Sequence, residues 1–216
     1  MYYKYPRTPH LPWSPGRTKD DMVLVDVNHL EGRPLVAMIK YDGENTTLYR
    51  DYMHARSLDS KDHPSRHWVK GFHSRIKDSI FPGWRICGEN LYAVHSIRYD
   101  DLTSYFLGFS VWTDNNTCLK WAETLIIFDD LHICTPEQFT PDSVTSLKEI
   151  DAIYHEKYGD KHEGYVVRVR DEFKYEDFGR SVAKYVRANH VQTDRHWMYK
   201  EVISNKLWKP TWTEQE

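Results

Sequence analysis

Residues 34–45 read Pro-Leu-Val-Ala-Met-Ile-Lys-Tyr-Asp-Gly-Glu-Asn, an apolar stretch that reaches a lysine and then a turn. The branched side chains before Lys40 favour a β-strand, and Asp42-Gly43 is a strong turn signal. Because residues 46–50 again resemble a strand, the pattern predicts a β-hairpin over residues 34–50. Lys40 then lies at the end of the first strand, where partial loss of water lowers the pKa of its amine toward that of a nucleophile.

The spacing of apolar residues elsewhere predicts single helices between strands. They recur at helical intervals over residues 64–80, a segment that begins with proline and is followed by Pro82-Gly83. Similar spacing predicts a helix from Ser143 to Gly159 and a last helix over residues 189–204. The segments that resemble strands are 85–94, 104–112, 123–128, 164–170 and 181–187.

This order of elements predicts the class of fold. Strands dominate and there is no regular alternation of strand and helix, which favours an α+β domain built on an antiparallel sheet. The proline-rich residues 1–18 cannot form a helix, so we expect an extended arm there. No linker divides the chain, so we expect one domain over residues 1–216, with residues 188–216 as a short helical tail.

The composition excludes several classes of protein. No apolar segment approaches the roughly 20 residues that cross a bilayer, so we expect no membrane association. Three cysteines are too few for a disulfide framework and favour a reducing compartment, so we expect a cytoplasmic protein. The net charge is −3, and residues 112–160 hold ten acidic and three basic side chains. Any polyanion must therefore be bound by locally arranged Lys and Arg.

Four further segments carry side chains that suit nucleotide chemistry. An acid beside a glycine occurs in residues 88–92 (Gly-Glu-Asn-Leu-Tyr) and in residues 163–168 (Glu-Gly-Tyr-Val-Val-Arg). Residues 105–112 form an aromatic strand candidate, and residues 183–187 (Ala-Lys-Tyr-Val-Arg) place two cations on another. Each segment alone is more often structural, but their occurrence in this order after residues 40–45 is far less common by chance.

Together these segments resemble the motifs of the covalent nucleotidyltransferases, the superfamily of RNA ligases, DNA ligases and mRNA capping enzymes. Residues 40–45 are similar to motif I (KxDGxx), and the other four segments are similar to motifs III, IIIa, IV and V. Arg56 lies where the family has its motif Ia arginine. Asn45 takes the sixth place of motif I, as in some phage-type RNA ligases, whereas DNA ligases and capping enzymes usually have Arg. Motif V departs from the usual Lys-x-Lys, because only Lys184 fits and Arg187 is the candidate substitute.

The resemblance implies an ATP-dependent RNA ligase with a nucleotidyltransferase (ATP-grasp-like ligase adenylation) domain, inserted helices and no OB-fold. Lys40 would attack the α-phosphorus of ATP to give lysyl-AMP. AMP would then pass to an RNA 5′-phosphate, from which an RNA 3′-hydroxyl would displace it. Glu163 would bind Mg or Mn. The other implied nucleotide-binding residues are Asn45 (ribose or phosphate), Arg56 (ribose or RNA 5′-phosphate), Glu89 (ribose), Phe109 (adenine), and Lys184 and Arg187 (phosphate).

Other hypotheses stay open at this stage. A DNA ligase or a GTP-dependent capping guanylyltransferase uses the same chemistry, although Asn45 and the short sequence after Arg187 count against both. A non-catalytic RNA-binding module is another class, and a protein partner could supply substrate specificity. The cations and aromatics of the C-terminal tail suit either RNA contact or a packed helix. A zinc site would draw on Cys87, Cys118, His132 and Cys134, which lack paired CxxC spacing.

Overall fold

The computed structural model describes residues 1–159, 161–189 and 201–209. These residues form nine β-strands and four α-helices, joined by loops and short 3-10 turns. In chain order they are β1 (Leu35–Lys40), β2 (Glu44–Tyr49), β3 (Met53–Ala55), α1 (His67–Ile76), β4 (Arg85–Asn90), β5 (Phe106–Trp112), β6 (Thr117–Cys118), α2 (Trp121–Asp130), α3 (Leu147–Lys157), β7 (Gly164–Val169), β8 (Phe173–Lys174), α4 (Phe178–Ser181) and β9 (Val182–Val186).

The strands lie in two antiparallel sheets. The smaller sheet has the order β1-β7-β9, and the larger sheet has the order β3-β2-β4-β5-β6-β8. In the smaller sheet Lys40 lies opposite Gly164, and Val166 lies opposite both Met38 and Lys184. Because cross-strand partners and alternate residues share a face, both lysines point to the same side of this sheet. The predicted α+β class with antiparallel sheets is confirmed.

The predicted hairpin over residues 34–50 is wrong, although both of its strands exist. β1 pairs with β7, and β2 pairs with β3 and β4, so the chain between them crosses from one sheet to the other. Asp42 fixes this crossing, since its Oδ2 accepts hydrogen bonds from the backbone N (2.8 Å) and Oγ (2.5 Å) of Ser96. Gly43 permits a close approach, because a Cβ there would lie 2.6 Å from the carbonyl oxygen of Asn90.

The strand predicted for residues 123–128 is also wrong, since this segment lies within α2. Its run of Thr, Leu, Ile, Ile and Phe has high strand propensity, but the buried side chains are Trp121, Thr124 and Phe128. That spacing is helical, and Ile126 between them is 63% exposed. Packing of one helical face therefore overrides the local preference for strand.

The two earlier helix predictions are confirmed with changed bounds. α1 is flanked by 3-10 turns at Pro64–Arg66 and Lys77–Ser79, which together match the prediction for residues 64–80. The helix predicted from Ser143 begins only with α3. Val144 lies instead in a buried loop, where its carbonyl oxygen accepts a hydrogen bond from the backbone N of Leu35 (2.9 Å).

The N-terminal arm, residues 1–18, forms no helix or strand and lies along β9. The backbone N of Leu11 donates to the carbonyl of Lys184 (2.8 Å), and the backbone N of Lys184 donates to the carbonyl of Pro9 (2.9 Å). The backbone N of Gly16 donates to the carbonyl of Val186 (2.9 Å). The arm therefore satisfies the outer edge of the smaller sheet.

Aromatic side chains build much of the main hydrophobic core. Tyr165 and Tyr185 stack at 5.1 Å between ring centroids, and Tyr154 from α3 packs on both at 5.0 and 5.7 Å. This core covers the face of the smaller sheet that is opposite to the two lysines, because Tyr165 and Tyr185 alternate with the lysine-facing positions. The high aromatic content thus has a packing role on this face of the sheet.

Residues 201–209 are described and are not helical. The helix predicted for residues 189–204 is therefore wrong for residues 201–204, and residues 190–200 lie outside the described residues. The helical character and RNA contact considered for the rest of the tail, residues 210–216, lie outside them too. Among the described residues, no helix has the length and apolarity that a membrane span requires.

Asn205 attaches this last described segment to the larger sheet. Its side chain is buried, and its Nδ2 donates to the carbonyls of Leu91 (2.8 Å) and Ala93 (3.3 Å). Its Oδ1 accepts a hydrogen bond from the backbone N of Tyr99 (2.9 Å). One amide therefore satisfies backbone groups of two other segments.

We expect Asn205→Ala to lower the free energy of unfolding by about 2–3 kcal/mol, because buried backbone groups lose their partners. Urea unfolding followed by circular dichroism measures this change. Lys209→Ala is the matched control, since Lys209 is an exposed residue of the same segment. Equal stability of the two variants would show that the Asn205 contacts do not stabilise the fold.

Candidate active site

A cavity of about 760 Å³ lies between the two sheets. This volume is in the range of small-molecule sites in proteins. The smaller sheet contributes mainly alternate residues of its three strands, and the larger sheet contributes residues of β2, β4 and β5. The lining residues from the smaller sheet are Met38, Ile39, Lys40, Val166, Arg168, Val182 and Lys184, and those from the larger sheet include Asn45, Glu89, Phe109 and Ser110.

Lys40 lines the cavity and forms an ion pair with Glu163. Its Nζ donates to Glu163 Oε2 at 2.5 Å, and the two side chains are 23% and 7% exposed. Burial lowers the pKa of this amine, but the negative charges of Glu163 and Glu89 outweigh burial and raise the pKa above its ordinary value. The expectation that position alone lowers this pKa is therefore wrong.

Glu163 lies behind Lys40 rather than on the cavity wall, and it immediately precedes β7. The next position, Gly164, requires a glycine because the backbone of β9 lies very close. A Cβ at Gly164 would lie 1.9 Å from the carbonyl oxygen of Tyr185. The acid-glycine pair of the sequence thus has two roles. Gly164 allows β7 and β9 to pack closely, and Glu163 binds the amine of Lys40 at the end of β1.

Glu89 lies on the opposite wall, in β4. Burial raises the pKa of its carboxyl group to about 8, and the positive charge of Lys40 offsets only part of this effect. Glu89 therefore keeps its proton to a higher pH than an ordinary glutamate, and in its protonated form it can donate a hydrogen bond as well as accept one. Asn45 lies directly opposite it in β2, and the Asn45 Oδ1 is buried with no hydrogen-bond partner among the described residues.

Phe109 reaches the cavity through a β-bulge. Gly88 pairs with Gly108 and Cys87 pairs with Ser110, which leaves Phe109 as the extra residue of β5. Its ring lines the cavity, and Tyr5 of the N-terminal arm packs edge-on against it at 5.1 Å. The bulge therefore turns the Phe109 ring toward the cavity, where it packs against the arm.

The predicted cations are divided between the inside and the outside of the cavity. Lys184 lines it, and burial together with the positive charge of Lys40 lowers the Lys184 pKa. Arg56 lines it at the end of β3. Arg187 does not line the cavity, because its Nε donates to the carbonyl of His162 (2.9 Å) beyond the end of β9. The structure thus brings together every predicted site residue except Arg187, with Glu163 joined through Lys40.

Sequence reasoning missed several residues that shape the cavity. Arg66 binds both carboxylate oxygens of Glu44, at 2.7 Å from its Nε and 2.5 Å from its Nη2, and so fixes the start of β2. Arg168 lines the cavity but is only 3% exposed, and it donates to the carbonyl of Leu119 (2.8 Å). His95 also lines the cavity, and burial lowers its pKa. The alternation of Arg168 with Val166 along β7 is a sequence signal that could have identified it.

The thiols lie apart from this chemistry. Cys87 and Cys118 are buried and burial raises the pKa of each. Within the described ranges, no group of three His, Cys, Asp or Glu residues is arranged to hold a metal ion. The zinc hypothesis therefore has no support in the structure.

Sequence comparison identifies the family. The model of the RNA ligase family matches residues 33–186, more than half of the chain. The chain belongs to the RNA ligase family. The matched segment of this RNA ligase family member runs through β1 to β9 and contains Lys40, Glu89, Glu163 and Lys184, so the resemblance stated from the motifs is confirmed. No curated protein matches the chain.

Solved structures share the fold. An archaeal ATP-dependent RNA ligase matches with a TM-score of 0.58 at 13% identity, over 86% of this chain and 48% of that chain. A putative ATP-dependent DNA ligase from Aquifex aeolicus matches with a TM-score of 0.55 at 19% identity, over 86% and 50%. A mutant Naegleria gruberi RNA ligase with ATP and Mn matches with a TM-score of 0.52 at 13% identity, over 75% and 52%. This chain thus spans about half the length of each of these proteins.

The raised pKa of Glu89 predicts how stability depends on pH. An unfolded Glu titrates near pH 4.3, so the native state binds more protons between about pH 4.3 and pH 8 and loses stability as the pH rises. We expect the free energy of unfolding of Glu89→Gln to rise relative to that of the wild type between pH 6 and pH 9, as measured by urea unfolding. Glu172→Gln, at an exposed position, should show no such change. A pH-independent difference for Glu89→Gln would contradict the raised pKa.

Proposed function

We propose that this chain is the nucleotidyltransferase part of an ATP-dependent RNA ligase, with Lys40 as the covalent nucleophile. The observation that carries the proposal is the convergence of Lys40, Glu163, Glu89 and Lys184 at one cavity of nucleotide size. A lysine held by one acid, beside a second acid and a second lysine, suits attack on a phosphate. Membership of the RNA ligase family supports the same reaction class.

The first step is nucleotidyl transfer to the lysine. The Nζ of Lys40 loses a proton, for which the bonded Glu163 Oε2 provides the acceptor, and then attacks the α-phosphorus of ATP. An N–P bond forms, the bond from the α-phosphorus to the bridging oxygen breaks, and pyrophosphate leaves with the electron pair. Lys184, which lines the cavity on the same face of the sheet as Lys40, would hold the α-phosphate oxygens.

The remaining cavity residues would orient the nucleotide. The face of Phe109 suits stacking of adenine. Glu89 and Asn45 lie opposite each other, and the unpartnered Oδ1 of Asn45 is an acceptor that a ribose hydroxyl would satisfy. Arg56 at the cavity edge suits a further phosphate because its planar guanidinium can bind two oxygens.

The Glu163 carboxylate also fits a divalent cation. Its oxygens are ligands that Mg or Mn accept, with water and substrate phosphate completing the coordination. Bound there, the ion would neutralise phosphate charge and shield Lys40 from the two acids, which lowers the pKa of the amine.

The later steps of the proposed reaction start from the lysyl-AMP intermediate. AMP passes from Lys40 to the 5′-phosphate of an RNA strand, and the 3′-hydroxyl of a second strand attacks that phosphate and releases AMP. We propose RNA with 5′-phosphate and 3′-hydroxyl ends as the substrate, which makes the protein an RNA repair enzyme. Because the chain spans about half of its structural neighbours, a further protein or domain could supply part of the RNA contact.

The decisive test is the covalent intermediate. We expect the wild-type protein to gain one AMP after incubation with ATP and Mg or Mn, as measured by intact mass spectrometry, and Lys40→Ala to gain none. Lys148→Ala, on the exposed side of α3, is the control that retains the modification. An unmodified wild type over a range of pH and metal would refute covalent catalysis.

The substrate is tested with the same protein. Ligation of 5′-phosphorylated RNA with a 3′-hydroxyl partner is compared with a nicked DNA duplex, and GTP is compared with ATP in the modification assay. RNA sealing with ATP is the expected result. Exclusive DNA sealing or exclusive labelling by GTP would instead support one of the two related enzyme classes.

The contact between Lys40 and Glu163 predicts a shift in pH dependence. Glu163→Gln removes the largest charge that raises the Lys40 pKa, so the residual rate of adenylylation should reach its plateau at lower pH. The rate itself should fall by about 100-fold, as is typical when one stabilising group is removed. Single-turnover rates from pH 6 to pH 9.5 measure both effects, with the exposed Glu156→Gln as control. A profile unchanged from the wild type would show that Glu163 does not set this pKa.

A further inference from the structure

The N-terminal arm extends the smaller sheet beyond β9 and supplies a direct neighbour of Lys184. The backbone bonds described above on both sides of Lys184 place His10 beside it, in parallel register. On its other side, the backbone N of His10 donates to the carbonyl of Met22 (2.7 Å). The family match begins at residue 33, so the motifs say nothing about this neighbour.

The imidazole of His10 lies on the cavity side of the sheet. Residues that lie opposite each other in neighbouring strands point to the same face, so His10 shares the face of Lys184. Thr8, two residues earlier in the arm, lines the cavity, as this alternation requires. Val166 of β7 lies beside Lys184 on the opposite flank. The lysine therefore lies between a valine and a fully buried histidine.

Contacts on two sides fix the ring of His10. Its Nδ1 lies 2.8 Å from Ser14 Oγ, and this hydroxyl accepts a hydrogen bond from the backbone N of Val186 (2.9 Å). Its Nε2 lies 3.5 Å from Asp21 Oδ2. That carboxylate oxygen also accepts hydrogen bonds from the backbone N (2.8 Å) and Oγ1 (2.9 Å) of Thr18. The ring is thus held between β9 and a fixed acid.

Asp21 and Lys184 lie near each other but are not bonded. Burial and the positive charge of Lys40 lower the pKa of Lys184, whereas the negative charge of Asp21 raises it. Within the described ranges no ion pair joins Asp21 to Lys184, and His10 is a neighbour of both. Burial lowers the pKa of His10 to about 4, so the ring adds no positive charge beside them at neutral pH.

The other charged groups that act on Lys184 come from three further elements. They are Lys40 of β1, Glu163 before β7 and Arg56 at the end of β3. The two cations repel the amine of Lys184, and Glu163 is already paired with Lys40. Asp21, which does not line the cavity, is therefore the acid that would draw Lys184 away from it.

We propose that His10 is a positioning residue, whose ring separates Lys184 from Asp21 and keeps the lysine amine directed at the cavity. This inference rests on the proposed function, in which Lys184 holds the α-phosphate oxygens. Opposite charges attract strongly where water is partly excluded, so without the ring the amine would pair with Asp21 rather than with the phosphate. His10 acts through the lysine and does not itself line the cavity.

Single-turnover adenylylation at saturating ATP tests this separation. His10→Ala should lower the rate about 10- to 100-fold, because a stabilising group is drawn away from the phosphate. Adding Asp21→Asn to His10→Ala removes the competing acid and should restore most of the rate. Adding Asp20→Asn instead is the matched control, since Asp20 is the exposed neighbouring acid, and it should restore nothing. A loss caused only by a displaced arm would persist in His10→Ala/Asp21→Asn, and that result would overturn the proposal.

The pKa of Lys184 provides a readout that needs no ATP. NMR titration of the protein with ¹³C-labelled lysine measures it, and the spectrum of Lys184→Arg identifies the Lys184 signal. The pKa of Lys184 should rise in His10→Ala, because the amine then contacts Asp21 directly, and should fall again in His10→Ala/Asp21→Asn. An unchanged pKa in His10→Ala would contradict the pairing.

His10→Gln keeps the proposal testable even where His10→Ala does not fold. Glutamine fills most of the space of the ring, so the rate of this variant should stay close to that of the wild type. A folded His10→Gln that loses tenfold or more, about 1.4 kcal/mol, would show that filling this space does not keep Lys184 in place. Thermal unfolding of each variant verifies that the fold is intact.

The two proposals fail in different ways. If the wild-type protein gains no AMP, covalent catalysis is refuted, while the titration of Lys184 still tests the role of His10. If adenylylation proceeds and Asp21→Asn restores nothing to His10→Ala, only the positioning role is refuted.

Discussion

The contact between Lys40 and Glu163 joins the fold of this protein to its chemistry. β1 brings the amine and the residue before β7 brings the acid, so the contact exists only because these two strands pair. Gly164, opposite Lys40, allows β9 to lie close on the other side of β7, and β9 brings Lys184. Pairing of three strands therefore assembles an acid and two lysines at one place, and a change in the register of any strand would move them to different faces.

Much of this arrangement could be predicted from the sequence, because it depends on local patterns. The strands that carry Lys40, Glu89, Phe109 and Lys184 were predicted from apolar alternation, and motif order placed them in one site. Strand pairing could not be predicted in the same way. Asp42-Gly43 has the residues of a hairpin turn, but the side chain of Asp42 is bonded to Ser96, far along the chain, so β1 and β2 enter different sheets. The α2 segment shows the same limit, since burial of Trp121 and Phe128 determines its structure.

Electrostatics of the site were predicted less well, because they depend on distances between segments. The sequence places Lys40 beside a turn, where burial alone would lower its pKa. The structure adds two acids from other segments, Glu163 and Glu89, and their charges raise the pKa of Lys40 instead of lowering it. Arg187 shows the same dependence on geometry. It is three residues from Lys184 and resembles a second phosphate ligand in sequence, but it lies past the end of β9 and binds the carbonyl of His162.

The distribution of charge in the cavity suits the binding of an anion, as the proposed function requires. Burial raises the pKa of Glu89 to about 8 and lowers the pKa of Lys184, while the Lys40 amine forms an ion pair with Glu163. Arg56, which is exposed at its surface, adds a guanidinium to the cavity lining. A triphosphate or an RNA 5′-phosphate would meet increasing burial as it enters, so its contacts strengthen toward the α-phosphorus. The N-terminal arm adds Tyr5, Pro6 and Thr8 to the wall of this cavity, although these residues precede the segment matched to the family.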